Sequence, residues 1–204
     1  LLGAGIKPGD RVATLAPPCR GFWICFLACA AVGAAWLGLN PRYKKREFAF
    51  FIKDAKPKLI FAFSPFDGRD YDGEIEMILK DCNLGKDCKL VQFDDKSFNF
   101  TDFSDFLAQH WVLASEQVFH RSTIKVKDTD IAAIVYTSGS TGRPKGSMLS
   151  HRSLCRSAKA SVEWMGRSLE RAAMAFPINH IGSLSAIGMN VLAFGGTVYF
   201  MAHF

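Results

Sequence analysis

From Thr137 to Gly146 the chain reads Thr-Ser-Gly-Ser-Thr-Gly-Arg-Pro-Lys-Gly, and every residue as far as Gly142 carries a hydroxyl or is glycine. Such residues pack nothing. They leave backbone N–H groups open, add hydroxyl donors at Thr137, Ser138, Ser140 and Thr141, and lead to a cation at Lys145, which together make a cradle for a polyphosphate. Gly139 and Gly142 let the backbone turn and approach an anion closely, and Pro144 fixes the local φ so that Lys145 leaves the loop in a defined direction. A flexible linker would be repetitive and would not rise from a buried strand into a Pro-Lys-Gly stop. A Walker A loop fails on spacing, because Pro144 stands five residues after Gly139 and no glycine directly precedes Lys145. The dinucleotide pattern G-x-G-x-x-G is also absent. Two histidines merit a reading: His180 follows Phe176-Pro177 at the end of an expected strand, where α/β loops meet ligands, and His151 opens the helix after the loop and reads as structural.

The elements that must position these groups alternate. Strands are expected at Arg11–Leu15, up to Leu39, at Leu59–Phe63, Lys89–Phe93, Ile131–Tyr136, Ala172–Phe176 and Thr197–Met201, as short apolar or β-branched runs bounded by turn residues. Helices are expected at about Gly21–Ala31 with a break at Gly33, and at Glu47–Asp54 before Lys56-Pro57. Further helices are expected at Glu74–Cys82 with Gly85 as the stop, and at Leu184–Ala193. Ser150 is the expected N-cap of a helix with Leu154, Ala158, Val162 and Met165 on its apolar face. Between residues 94 and 127 the pattern loosens into an irregular surface connection with a short helix near Asp102–Ala108. Strand and helix taking turns means an α/β fold with a mostly parallel sheet and helices on its faces.

A chain of 204 residues with 49% hydrophobic and 22% charged residues can bury a core and is not disordered. The formal net charge of +6 is no nucleic-acid footprint, because the densest basic cluster (Arg42, Lys44, Lys45, Arg46) lacks stacking aromatics and reads as a solvated loop. Six cysteines without a C-x-x-C pair argue against a disulfide framework or zinc and for a reducing compartment, here the cytoplasm. Phe22–Leu39 is free of charge, yet eighteen residues of helix would reach only about 27 Å, and Gly33 and Gly38 interrupt them. A buried helix followed by a buried strand is the expectation, with no transmembrane segment. The chain starts at Leu1 and ends at Phe204 inside an apolar run, as an excerpt of a longer protein would.

The segment YTSGSTGRPKG resembles the phosphate-binding signature of the adenylate-forming superfamily, which joins AMP-binding acyl-CoA synthetases, luciferases and peptide-synthetase adenylation domains. GIKPGDRVATLAP, AAVGAAWLGLNPRYKKREFAFFIKDAKPKLIF and FPINHIGSL fall in the matching order, and LNPRY and the His180 segment are similar to acyl-CoA synthetases in particular. The resemblance implies that residues 1–204 are part of a large N-terminal AMP-binding domain, truncated at both ends, with its phosphate loop at 137–146. It implies an acid–CoA ligase that forms an acyl adenylate from ATP, with Mg2+, and passes the acyl group, by family habit that of a fatty acid, to coenzyme A. ATP-phosphate binding is then carried by Thr137, Ser138, Gly139, Ser140, Thr141, Gly142 and Lys145. Arg143 sits at a variable, solvent-facing place, and His180 lies beside the carboxylate. No residue of this chain is implied as a metal ligand, the partners are small molecules, and nothing bears on oligomeric state. Asn179, where the family often has an aromatic or bulky residue, and Ser147, where it has an aliphatic one, depart from the pattern. The adenine motif with its magnesium glutamate, the ribose aspartate, the hinge and the C-terminal lysine have no counterpart before Phe204. The alternative is a truncated, non-catalytic nucleotide-binding or interaction module.

Overall fold

The computed structural model describes residues 1–93, 101–111, 119–120, 123, 125–137, 143–166 and 168–201, with the side chains of 101–104 left out. Six strands form the main sheet: β1 (Arg11–Leu15), β2 (Ala35–Leu39), β3 (Leu59–Phe63), β4 (Lys89–Phe93), β5 (Ile131–Thr137) and β6 (Lys145–Ser150). Their order is β4-β3-β1-β2-β5-β6, parallel except for β6, which runs antiparallel to β5. The helices are α1 (Arg20–Val32), α2 (Lys45–Ala55), α3 (Tyr71–Asp81), α4 (Thr101–Trp111), α5 (His151–Met165) and α6 (Asn190–Ala193). A second, two-stranded parallel sheet pairs β7 (Arg171–Met174) with β8 (Thr197–Phe200).

The direction in which the chain moves across the sheet decides which face each helix covers, because parallel crossovers are right-handed. From β1 to β2 and from β4 to β5 the chain moves one way, and α1 and α4 pack on the face that holds Phe22, Phe26, Trp36 and Phe106. From β2 through β3 to β4 it moves the other way, and α2 and α3 cover the opposite face with Phe48, Ile52, Ile75 and Ile78. Strand residues alternate between the two cores: Leu59, Phe61 and Phe63 go to the first, Ile60 and Ala62 to the second. A strand covered on both faces reads as a continuous apolar run, and β2 and β3 are buried at every position.

Within Phe22–Leu39 the helix ends where Gly33 adopts φ 74°, and β2 follows, so the apolar stretch is a core helix and a core strand. Among the described residues no helix is long and apolar enough to cross a membrane.

Five expectations need correction. The helix expected at Glu74 starts at Tyr71, because the Asp70 carboxylate accepts the N–H groups of Asp72 and Gly73. Its left-handed stop is Asn83 (φ 56°) and not Gly85, an asparagine tolerating that conformation. Lys45 and Arg46 of the basic cluster belong to the first turn of α2, where the Lys44 N–H donates to Glu47. The strand expected to reach Phe176 ends at Met174, and Phe176 is exposed in the turn beyond it. The α-helix expected from Leu184 is, over Gly182–Met189, a π-helix. Its buried residues Ser183 and Gly188, and Leu184 and Met189, lie five apart, the spacing of a π turn. Gly188 is needed there, since a Cβ would come within 2.5 Å of the Trp23 ring.

Candidate functional site

The hydroxyl- and glycine-rich segment begins at the end of β5 and leads into β6, and the two strands pair antiparallel. Thr137 is the cross-strand partner of Lys145, and Tyr136 of Gly146. Directly opposed residues keep their Cβ atoms about 4.5–5.5 Å apart on one face, so the motif's first hydroxyl and its cation stand side by side at the loop's root. Both are exposed, as is Arg143. Ser138, Gly139, Ser140, Thr141 and Gly142 lie outside the described residues. The expected 137–146 loop is therefore narrower than its motif, with Thr137 in β5 and Lys145 and Gly146 in β6. The ladder asks only for backbone groups, which these residues supply. Sequence reasoning missed β6 because its first four residues are exposed and carry no apolar alternation. The available signal was a Gly/Ser-rich loop between two extended segments.

Support comes from the opposite face. The Tyr136 ring lies 4.4 Å from the Phe51 ring and 6.2 Å from the Phe50 ring of α2, and its hydroxyl donates to the Asp54 carboxylate. Burial, the hydrogen bond and the Asp54 charge all push the Tyr136 phenol upward, so it stays a donor near neutral pH. A Cβ at Gly146 would sit 3.3 Å from that ring, so glycine lets the strands close over it.

His180 lies in the turn after β7 and is exposed. Its backbone N–H donates to the Pro177 carbonyl at 3.0 Å, and its Nδ1 accepts the Gly182 N–H at 3.2 Å. In the neutral ring the proton therefore sits on Nε2, free to donate. Asn179 beneath it is buried and donates to the Tyr43 hydroxyl at 2.9 Å. Gly38 of β2 comes so close that a Cβ there would be 2.6 Å from the Asn179 Cβ. The His180 turn thus rests on β2, which neighbours β5. Among the described residues no hydrogen bond joins His180 to Thr137 or Lys145. His151, at the start of α5, keeps its Nε2 buried, and burial lowers its pKa, in keeping with a structural residue.

A cavity of about 430 Å3 opens at the carboxyl ends of β1, β2 and β3, between Pro17, Asn40, Arg42, Asp67 and Phe176. The connections after β1 and β3 depart in opposite directions there, and such a switch point is where open α/β sheets receive ligands. Arg69 also lines it, but its guanidinium is engaged by Glu74 at 2.7 Å and by the carbonyls of Pro41 and Tyr43, so it braces the rim. Among the described residues no group of three or more His, Cys, Asp or Glu could hold a metal ion, and all six cysteines are free thiols.

The family model of the AMP-binding enzyme matches residues 1–204. The chain is 29% identical over 206 aligned residues to 4-coumarate–CoA ligase 3 of Arabidopsis thaliana, covering 98% of this chain and 34% of that protein. It is 28% identical over 160 residues to the medium-chain fatty-acid–CoA ligase of Escherichia coli K12, covering 78% of this chain and 27% of that one. The crystal structure of ATP-bound MatB from Rhodopseudomonas palustris superposes with a TM-score of 0.76 at 28% identity, over 100% of this chain and 37% of that one. The chain thus spans about a third of the length of the relatives it matches.

Proposed function

The chain belongs to the AMP-binding enzyme family, and from that membership we propose that it is the phosphate-binding portion of an ATP-dependent acid–CoA ligase. The observation that carries the reading is the pairing of Thr137 with Lys145 at the root of a loop of hydroxyls and glycines. Since the chain covers about a third of its relatives, the reaction is assigned to the full-length protein that carries it.

In this reading a carboxylate oxygen of the acid attacks the α-phosphorus of ATP. The bond from that phosphorus to the bridging oxygen breaks, and pyrophosphate leaves with the electron pair. Negative charge grows on the departing phosphates. Lys145, the hydroxyls of Thr137, Ser138, Ser140 and Thr141, and the N–H groups at Gly139 and Gly142 are assigned to hold and orient them. The acyl adenylate then yields its acyl group to the thiol of coenzyme A, releasing AMP. His180, with Nδ1 tied to Gly182, is assigned to the acid's carboxylate through its Nε2 proton. The cavity at the carboxyl ends of β1–β3 leaves room near this edge for a second substrate, its volume being within the range of small-molecule sites. Magnesium is assigned to the nucleotide as MgATP, and no step is routed through a protein-held ion. Fatty and aromatic carboxylic acids are the first classes to test, and six free thiols suit the cytoplasm.

The full-length protein, incubated with MgATP, coenzyme A and a panel of fatty and aromatic acids, is expected to give a thioester with one AMP per thioester. Formation of ADP in place of AMP, or no thioester with any acid, would overturn the assignment.

A further inference from the structure

Four contacts converge on Tyr136, the residue just before the phosphate motif. Its hydroxyl donates to Asp54 near the end of α2, two α2 rings pack against its own, and Gly146 on the facing strand lies against its edge. Side chains alternate along a strand, so Tyr136 points to the α2 face while Thr137 and Lys145 share the other. The core confirms the alternation: Val135 belongs to the cluster beneath α1, and Tyr136 packs against the cluster beneath α2. The hairpin root has little else to fix it, because β6 is an edge strand whose first four residues are exposed. Tyr136 thus touches both strands of the root and ties them to a helix.

We propose that Asp54 and Tyr136 form an anchor that sets the positions of Thr137 and Lys145, and that both are positioning residues for the polyphosphate of ATP. The inference rests on the ligase reading and adds to it a group 82 residues away in sequence. Asp54 acts through Tyr136 from the opposite face, so its charge is held by the phenol and the nucleotide is reached only through the strand. Without the hydrogen bond the ring loses its tether and the pair at the root is no longer held in register for the phosphates. That loss weakens nucleotide binding more than the chemical step.

The test is a steady-state comparison in the full-length protein, with acid saturating and MgATP varied. Tyr136→Phe and Asp54→Ala are each expected to raise the KM for MgATP by about tenfold while kcat changes by less than about threefold. Asp54→Asn keeps an acceptor and is expected to recover most of the affinity. The double variant is expected to match the worse single variant, because the two residues act as one unit. A merely structural role would instead lower the active fraction, and with it the apparent kcat, without moving KM. Should Asp54→Ala fail to fold, Asp54→Leu, which also removes the acceptor and keeps the side-chain size, completes the same cycle with Tyr136→Phe. A KM within about twofold of the parent in Tyr136→Phe, or a double variant equal to the product of the singles, overturns the anchor. Lys145→Ala separates the two levels. If it leaves the reaction unchanged, the phosphate-loop reading fails; if it abolishes the reaction while Tyr136→Phe keeps the parent KM, the anchor alone fails.

Discussion

Replacing Lys145 by alanine is expected to lower acid-dependent exchange of pyrophosphate into ATP by about 10²–10³-fold in the full-length protein, the usual loss for one group aimed at developing charge. Lys145 is the first residue of an exposed edge strand, so its truncation removes no buried contact, and the unfolding midpoint stays within about 1 °C of the parent. Lys145→Arg restores only part of the rate, because a broad planar fork does not replace a compact ammonium at the same distance. Radiolabelled pyrophosphate incorporation, read beside a thermal melt, checks the prediction. Exchange within about twofold of the parent would remove Lys145 from the site.

Replacing Trp36 by alanine acts on stability. Trp36 is fully buried in β2, its ring centroid is 5.2 Å from that of Phe22 and 5.4 Å from that of Phe26, and its Nε1 donates to the Thr14 hydroxyl at 3.1 Å. The substitution removes a large aromatic and that hydrogen bond together, at a cost of about 3–5 kcal/mol. A domain holds only about 5–15 kcal/mol in total, so the variant approaches the limit of folding. Its thermal midpoint is expected to fall by roughly 10 °C. A loss below about 1 kcal/mol would mean that the core closes over the gap, and that Trp36 is not the centre of the face beneath α1.

How much of this was legible in the sequence depends on what each element buries. β2 and β3 were readable because residues such as Leu59 to Phe63 are covered on both faces and appear as apolar runs, whereas edge strand β4 was readable from alternation, with Val91 and Phe93 buried and Lys89 exposed. β6 was not, since Lys145 to Met148 face water and are held by backbone pairing, which leaves no hydrophobic pattern. The π-helix was read as an α-helix because Leu184, Ile187 and Val191 fall at the spacing of an α-helical stripe, and only the five-residue spacing of the buried pairs Ser183–Gly188 and Leu184–Met189 marks the wider turn. The proposed phosphate motif was visible in its residue types, as a run of hydroxyls and glycines has no packing purpose. Its support was not: nothing in the residues near Asp54 announces that its carboxylate meets Tyr136, and only the sheet order brings α2 beneath β5. Likewise Asn179 stood out as a departure, but its bond to Tyr43 needed the fold to be seen.

The central claim is that a carboxylate attacks the α-phosphorus of ATP at this loop. The most direct measurement uses a substrate acid labelled with 18O in both carboxylate oxygens, turned over once by the full-length protein with MgATP and coenzyme A. The oxygen that forms the bond to phosphorus stays there when the thiol displaces AMP. The account predicts AMP carrying one 18O atom and pyrophosphate carrying none. Unlabelled AMP, or label in inorganic phosphate, would place the attack elsewhere and contradict it.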